Sequence, residues 1–129
     1  MYKTRKILIL DDQPEIGTLL GRYVVQLGCK PVVAESVDQA IDLFNDDDFL
    51  MVISDVVMPE KNGFQLARYI RDNHPQTQMA MISGFLDQEM ENLIKGFGIS
   101  KIYRKPILLD SVKEMIAFAI KEGRFTKGS

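Results

Sequence analysis

Five short apolar runs alternate along the chain with stretches whose apolar residues recur at helical spacing. Each run is short enough to form one buried strand, and the five runs cover residues 6–10, 31–34, 49–53, 79–82 and 99–103. Strands that alternate with helices predict an α/β fold, in which a parallel sheet is covered on both faces. Right-handed crossovers favour a doubly wound sheet, and we adopt its common strand order 2-1-3-4-5.

Several helix boundaries are predicted by their end signals. Pro14 stands in the first turn of the first helix and Gly28 follows its end, and Ser36 with Gln39 forms a capping box before the second. The last helix is expected from about residue 108 to residue 122, followed by a short polar tail over residues 123–129. With no internal repeat or linker, the sequence predicts a single domain with its core in residues 4–122.

The composition narrows the class of protein. A chain of 129 residues with 46% hydrophobic content suits one compact domain, and a net charge of −2 offers no broad positive field for nucleic acid. No stretch approaches the roughly 18 apolar residues of a membrane span. Cys29 is the single cysteine, which excludes an internal disulfide. We therefore expect a cytoplasmic protein that binds neither nucleic acid nor membrane through this segment.

Reactive side chains stand where four of the predicted strands end. The first strand ends in Asp11 and Asp12, the third in Asp55, the fourth in Ser83 and the fifth in Lys105. In a doubly wound sheet, binding groups gather outside the carboxyl ends of the strands. We therefore expect these five residues, which the chain scatters over almost its whole length, to meet in one shallow pocket.

The chemistry of these side chains predicts a metal-assisted phosphoryl acceptor site. Three crowded carboxylates repel one another unless a cation intervenes, and hard oxygen ligands select Mg²⁺, or Mn²⁺, over zinc or copper. Asp11 and Asp12 would hold this ion beside Asp55, whose carboxylate would accept the phosphoryl group. Lys105 would pair with one phosphoryl oxygen, and the Ser83 hydroxyl would donate to another.

The same residues and their spacing resemble the receiver domains of response regulators in two-component systems. The marks are motifs at strand ends: Asp11-Asp12, Asp55-Val56-Val57-Met58-Pro59 with Asn62-Gly63 behind it, Ser83-Gly84, and Lys105-Pro106. The resemblance covers about residues 4–122 and implies a (βα)5 flavodoxin-like fold. It also implies a phosphorylation-dependent switch that accepts phosphate from a histidine kinase or phosphotransfer protein. Such a domain catalyses only its own modification and is not an enzyme in the usual sense.

The resemblance carries further expectations about the metal and the output. The backbone carbonyl of Val57 would add a metal ligand, and the surface of helix four, strand five and helix five would relay the signal. The signal would pass to an effector protein or to a fused output domain outside this chain. Phosphorylation would favour a dimer. The sequence departs from the family at Ile102, where an aromatic switch residue is usual. Tyr103, one place later, points to the opposite face of a strand and cannot replace it.

Less specific interpretations remain open. The strand-end aspartates are also favourable as caps of the helices that follow them, and the chain is alternatively a receiver-like interaction module that is not phosphorylated. An aspartate-nucleophile phosphatase is disfavoured because Gln13 and Pro14 stand where a second catalytic aspartate is needed. His74 is expected at the surface, and residues 46–48 form a solvated turn without the spacing of a calcium loop.

Overall fold

A computed structural model describes residues 5–56 and 62–128 of the protein, with side chains described as far as residue 122. Five strands, β1 to β5, cover Lys6–Leu10, Lys30–Ala34, Met51–Asp55, Gln78–Ser83 and Lys101–Arg104. Five helices, α1 to α5, cover Pro14–Gln26, Val37–Asp46, Gly63–Asn73, Gln88–Gly96 and Leu109–Gly128. Within the described ranges, strand and helix alternate throughout, as the sequence predicts.

The strands form one parallel sheet in the order β2-β1-β3-β4-β5, which confirms the predicted fold class and strand order. Strand β1 pairs with β2 on one side and with the central strand β3 on the other. Leu10, the last residue of β1, stands opposite Ser54 of β3. The carboxyl ends of β1 and β3 therefore lie side by side at the point where strand order reverses.

The alternation of side chains along β1 builds the two hydrophobic layers of the fold. Ile7 and Ile9 face the cluster formed with α1 and α5, whereas Leu8 and Leu10 face the cluster formed with α2 and α3. None of the four exposes any surface. Burial of such a side chain stabilises the fold by about 1.5–3 kcal/mol, so β1 is a main source of stability for the sheet edge that carries the site.

Local capping explains where most helices begin. The Ser36 side chain accepts a hydrogen bond from the Gln39 N–H at 3.1 Å, as predicted, and Asn62 forms a full capping box with Gln65 before α3. Helix α4 begins after Asp87, whose carboxylate accepts from the N–H of its third residue. Among the described residues, no helix combines the length and the apolar content that a bilayer crossing requires.

Some element bounds differ from the predicted ones because pairing and turns set them. Strand β3 continues to Asp55, which pairs with Ile82 of β4. Strand β5 begins only at Lys101, since Gly98, with a φ of +81°, turns the chain just before it. Helix α5 continues to Gly128, beyond its predicted end near residue 122. One glycine costs a helix only about 1 kcal/mol and does not stop it.

His74 is more enclosed than the sequence suggested. It is the C-cap of α3, and its backbone N–H donates to the Ile70 carbonyl. Its ring is half-buried, with its centroid 4.9 Å from that of Phe44 and 5.6 Å from that of Tyr69. The histidine predicted at the surface is therefore only partly exposed, because aromatic neighbours from two different helices cover one side of it.

Candidate functional site

Three carboxylates converge where β1 and β3 end. Asp11 and Asp12 directly follow β1, and Asp55 is the last residue of β3. One oxygen from each carboxylate lies within 4.8 Å of the other two. Asp11 and Asp55 are buried, whereas Asp12 is half-buried. The pairing of β1 with β3 thus brings together acidic residues that are more than forty positions apart in the chain.

Lys105 closes this cluster from the side of β5. Its Nζ lies 3.0 Å from Asp55 Oδ2 and 3.1 Å from Asp11 Oδ2, and its backbone N–H donates to the Ser83 carbonyl at 2.8 Å. Burial opposes the charged ammonium, but the contacts with Asp55 and Asp11 outweigh it and raise the pKa of Lys105. The lysine is therefore a fixed positive charge beside the carboxylates.

Burial of Asp11 disfavours the charged form of its carboxylate. Its Oδ1 accepts a hydrogen bond from the Gln13 N–H at 2.9 Å. Its Oδ2 is buried and, among the described residues, accepts no hydrogen bond, although the Lys105 ammonium lies near it. Burial raises the pKa of Asp11 more than the Gln13 and Lys105 contacts lower it. A buried carboxylate oxygen in this state is suited to a bound cation.

The donor set fits a hard divalent metal. Three carboxylates facing one ammonium leave the cluster with an excess of two negative charges, which one divalent cation neutralises. The described residues of the cluster offer only oxygen ligands, and these suit Mg²⁺ or Mn²⁺. The predicted carbonyl ligand at Val57 lies outside the described residues. The acidic cluster is therefore compatible with the predicted metal.

The backbone behind Asp55 is packed very closely. The buried Ser54 hydroxyl donates to the Asp55 carbonyl at 2.9 Å, and the Gly63 N–H donates to the Val56 carbonyl at 2.8 Å. A Cβ atom built on Gly63 would lie 2.5 Å from the Asp55 carbonyl oxygen. Glycine is therefore required at this position for the start of α3 to approach Asp55.

Ser83 lies at the end of β4 and is buried, next to the strand that carries Asp55. Its hydroxyl donates to the Phe85 carbonyl at 2.5 Å and accepts from the Phe85 N–H at 3.1 Å. The hydroxyl is thus engaged with its own loop. The predicted contact of Ser83 with a phosphoryl group remains a prediction, and it requires the bond to Phe85 to break.

The two neighbouring residues of β5 face opposite sides of the sheet. Ile102 packs against the cluster that includes Ile94 of α4, and Tyr103 packs against the cluster that includes α5. The Tyr103 hydroxyl donates to the Glu114 carboxylate. Burial, and then this contact, raise the pKa of Tyr103 above its ordinary value of 10.0. As predicted, the tyrosine does not stand in for an aromatic residue at position 102.

Two residues of the site were missed by sequence reasoning. The Gln13 side-chain oxygen accepts from Lys105 Nζ at 3.2 Å, and Arg104 Nη2 donates to the Leu86 carbonyl of the loop after β4 at 2.7 Å. Each of them lies next to a predicted site residue in the chain, and this adjacency is the sequence signal that could have identified them. Neither has a side chain whose chemistry alone suggests a function.

Comparisons with known proteins identify the family. The sequence-family model of the response regulator receiver domain matches residues 7–117 of this chain. The chain belongs to this family of two-component signalling domains, for which phosphorylation and magnesium binding are typical. It is 32% identical over 119 residues to the response regulator protein PilR of Pseudomonas aeruginosa. The match covers 91% of this chain but 26% of PilR, so the chain spans about a quarter of that relative.

Solved structures agree with the fold. The beryllofluoride-activated NtrC4 receiver domain dimer matches with a TM-score of 0.86 and 22% identity, covering 92% of this chain and 98% of that one. The response regulator TrrA of Thermotoga maritima, solved in complex with Mg²⁺ and BeF, matches with a TM-score of 0.80 and 23% identity. That match covers 89% of this chain and 98% of TrrA. At these identities, the likeness establishes the shared fold.

Proposed function

We propose that this receiver domain is a phosphorylation-dependent switch whose phosphoacceptor is Asp55. The donor would be a histidine kinase or a phosphotransfer protein. The observation that carries the proposal is the contact of Lys105 Nζ with Asp55 Oδ2, at 3.0 Å, inside a cluster of three carboxylates. A reactive carboxylate beside a fixed ammonium and an acidic metal-type cluster is the arrangement that phosphoryl transfer needs.

The proposed step is a direct transfer. A carboxylate oxygen of Asp55 forms a new O–P bond while the N–P bond to the donor histidine breaks. The electron pair of the broken bond stays on the imidazole nitrogen of the donor. Phosphoryl transfer depends mainly on the positions of the reacting groups. The domain would hold Asp55 and its neighbours in place, and it would catalyse only its own modification.

Asp11, Asp12 and Asp55 would hold the magnesium ion, or manganese, with the backbone carbonyl of Val57 as a further ligand. The bound ion would neutralise the carboxylates and the incoming phosphoryl oxygens. The buried Asp11 Oδ2 supports this assignment, because it accepts no hydrogen bond among the described residues, and burial raises the pKa of Asp11 despite the nearby Lys105 ammonium. The TrrA structure with Mg²⁺ and BeF supports it by analogy.

Lys105 and Ser83 would bind the transferred group. The Lys105 ammonium would exchange a carboxylate contact for a phosphoryl oxygen, a change that requires only a small movement. The Ser83 hydroxyl would release the Phe85 carbonyl and donate to another phosphoryl oxygen. Because Phe85 follows directly in the same loop, this release would move the segment that joins β4 to α4.

The signal would leave through the face made by α4, β5 and α5. The signal would pass to an effector protein or to an output domain fused to the chain. Phosphorylation would favour a dimer, as the activated NtrC4 receiver domain dimer suggests. Arg104 connects β5 to the loop after β4 through the Leu86 carbonyl. With Ile102 in place of the usual aromatic residue, this contact is a candidate route for the movement.

Intact-mass measurement tests the proposal. The domain is incubated with a small phosphodonor and Mg²⁺, as wild type and as Asp55→Asn, with Asp48→Asn as the matched control. We expect the wild type and Asp48→Asn, which changes an exposed loop residue, to gain one phosphate. Asp55→Asn should gain none, and a chelator should suppress the gain in the wild type and in Asp48→Asn.

The alternative is a receiver-like module that binds partners without being phosphorylated. It predicts no mass gain in the wild type with any donor, and equal partner binding by wild type and Asp55→Asn. A mass gain that survives in Asp55→Asn would instead place the phosphate on another residue. Either result would contradict the proposed role of Asp55.

A further inference from the structure

Gln13 occupies the N-cap position of α1, but its side chain does not cap the helix. Side chains at this position commonly bond to the first helical N–H groups. The Gln13 Oε1 atom instead accepts a hydrogen bond from Lys105 Nζ at 3.2 Å. The contact joins the loop after β1 directly to the loop after β5, across the mouth of the carboxylate cluster.

The backbone of Gln13 is itself fixed by its surroundings. Its N–H donates to Asp11 Oδ1 at 2.9 Å, and its carbonyl oxygen accepts from the N–H groups of Ile16 and Gly17. Pro14, whose ring restricts φ, follows as the first helical residue. The fixed backbone therefore sets the point from which the exposed Gln13 side chain reaches the lysine.

The partners of Lys105 differ in what the proposed reaction does to them. A protonated lysine has three N–H donors and no acceptor. In the described part of the chain, its Nζ lies 3.0 Å from Asp55 Oδ2, 3.1 Å from Asp11 Oδ2 and 3.2 Å from Gln13 Oε1. Metal binding and phosphorylation would change both carboxylates. The Gln13 amide is neutral and takes part in neither step.

We propose that Gln13 is a positioning residue, whose amide oxygen keeps the Lys105 ammonium at the mouth of the pocket while Asp11 and Asp55 change partners. The inference rests on the proposed phosphorylation of Asp55. A lysine side chain has high rotamer entropy. Without the amide, Lys105 turns towards solvent once its carboxylate partners are neutralised, and the phosphoryl group meets the ammonium less often.

The rate of phosphate incorporation gives the first test. Gln13→Met keeps the length of the side chain but removes the acceptor oxygen, and Gln13→Glu restores one. Gln26→Met, at the exposed far end of the same helix, is the matched control. With acetyl phosphate and saturating Mg²⁺, we expect Gln13→Met to react about tenfold more slowly, or about 1.4 kcal/mol in the barrier. Gln13→Glu should recover most of the loss, and Gln26→Met should match the wild type.

A second readout uses the protein with saturating Mg²⁺, when Asp11 and Asp55 would be engaged by the ion, and does not depend on phosphorylation. Proton–nitrogen correlation spectra report lysine ammonium groups whose protons exchange slowly with water because acceptors hold them. The Lys105 signal is assigned by its loss in Lys105→Met. We expect it to be sharp in the wild type, in Gln13→Glu and in Gln26→Met, and to broaden or vanish in Gln13→Met.

The outcomes separate this inference from the proposed function. A wild type that takes up phosphate, with a Gln13→Met variant of equal rate and equal Lys105 signal, overturns the role of Gln13 and leaves the function standing. A wild type that takes up no phosphate overturns both. If Gln13→Met does not fold, as judged by circular dichroism, Gln13→Ala takes its place in the same comparison.

Discussion

The carbonyl oxygen of Asp55 lies so close to Gly63 that a Cβ atom on this glycine would stand 2.5 Å away. The opposing atom belongs to the backbone and cannot turn aside. Gly63→Ala must therefore displace either Asp55 or the start of α3. We expect a loss of about 1–3 kcal/mol in the free energy of unfolding, measured with urea, together with slower phosphate incorporation at Asp55.

The control for this substitution is Gly96→Ala at the end of α4, where a Cβ atom would meet nothing within 4 Å. This variant should be as stable as the wild type, or slightly more so, since alanine favours a helix over glycine. Equal stability of the Gly63→Ala and wild-type proteins would show that the close approach is unimportant.

Magnesium binding should stabilise the fold, and Asp11 should be needed for that effect. At a concentration of about 100 times Kd, a ligand adds about 2.7 kcal/mol to the free energy of unfolding, seen as a rise in Tm. Burial raises the pKa of Asp11, so at neutral pH its ionised form disfavours the metal-free fold. We expect Asp11→Asn to be at least as stable as the wild type without metal, and to gain nothing from Mg²⁺.

Thermal unfolding with Mg²⁺ and with a chelator measures both effects. Asp48→Asn, which alters an exposed aspartate outside the cluster, should keep the full gain. A magnesium-dependent rise in Tm that is as large in Asp11→Asn as in the wild type would rule out Asp11 as a ligand.

Removal of the Lys105 charge should have the opposite effect on the metal-free protein. Lys105→Met keeps most of the length of the side chain but leaves the carboxylates of Asp11 and Asp55 without their ammonium. We expect the metal-free variant to lose roughly 2 kcal/mol, below the usual cost of breaking a buried ion pair because the lysine is partly exposed. Calorimetry should show that Mg²⁺ recovers part of this loss.

Lys95→Met on α4 is the comparison for Lys105→Met, since Lys95 is exposed. It should leave both the metal-free stability and the gain from Mg²⁺ unchanged. Equal stability of Lys105→Met and Lys95→Met in the chelator would mean that the ammonium does not offset the repulsion among the carboxylates.

Tyr103 should make stability depend on alkaline pH. Burial and Glu114 raise its pKa in the folded protein above the ordinary value of 10.0. The unfolded chain therefore loses the phenolic proton first, so the stabilising contribution is complete below about pH 10 and is lost as pH rises further. Between about pH 8 and about pH 10.5, we expect the wild type to lose more stability than Tyr103→Phe.

Urea unfolding at the two pH values measures this difference, and absorbance titration of tyrosinate supplies the matching observation. A tyrosine ionisation above the ordinary pKa of 10.0 should be seen in the wild type, and this late step should be missing in Tyr103→Phe. Tyr23→Phe serves as the control and should keep it. Parallel pH profiles for the wild type and Tyr103→Phe would contradict the prediction.

The convergence of Asp11, Asp55 and Lys105 was predictable because it follows from topology. Parallel strands place their carboxyl ends at one edge of the sheet, and the apolar runs marked those ends to within two residues. The opposite orientation of Ile102 and Tyr103 was predictable for a similar reason, since side chains alternate along a strand.

The finer contacts depend on side-chain reach, which a one-dimensional pattern does not contain. The bond from Lys105 to Gln13 spans 92 positions and joins an amide that periodicity does not mark. The bond from Arg104 to the Leu86 carbonyl involves a backbone acceptor, which every residue has. The half-burial of His74 likewise arises from rings on two helices that only the folded structure brings together.

The placement of Lys105 between two aspartates also bears on whether the protein can fold before it binds a metal ion. An ammonium built into the chain acts as a resident counter-ion, so the acidic edge can assemble at synthesis without waiting for a dissolved metal. Under the proposed function, a shortage of magnesium would leave a folded domain that accepts phosphate only after the ion returns.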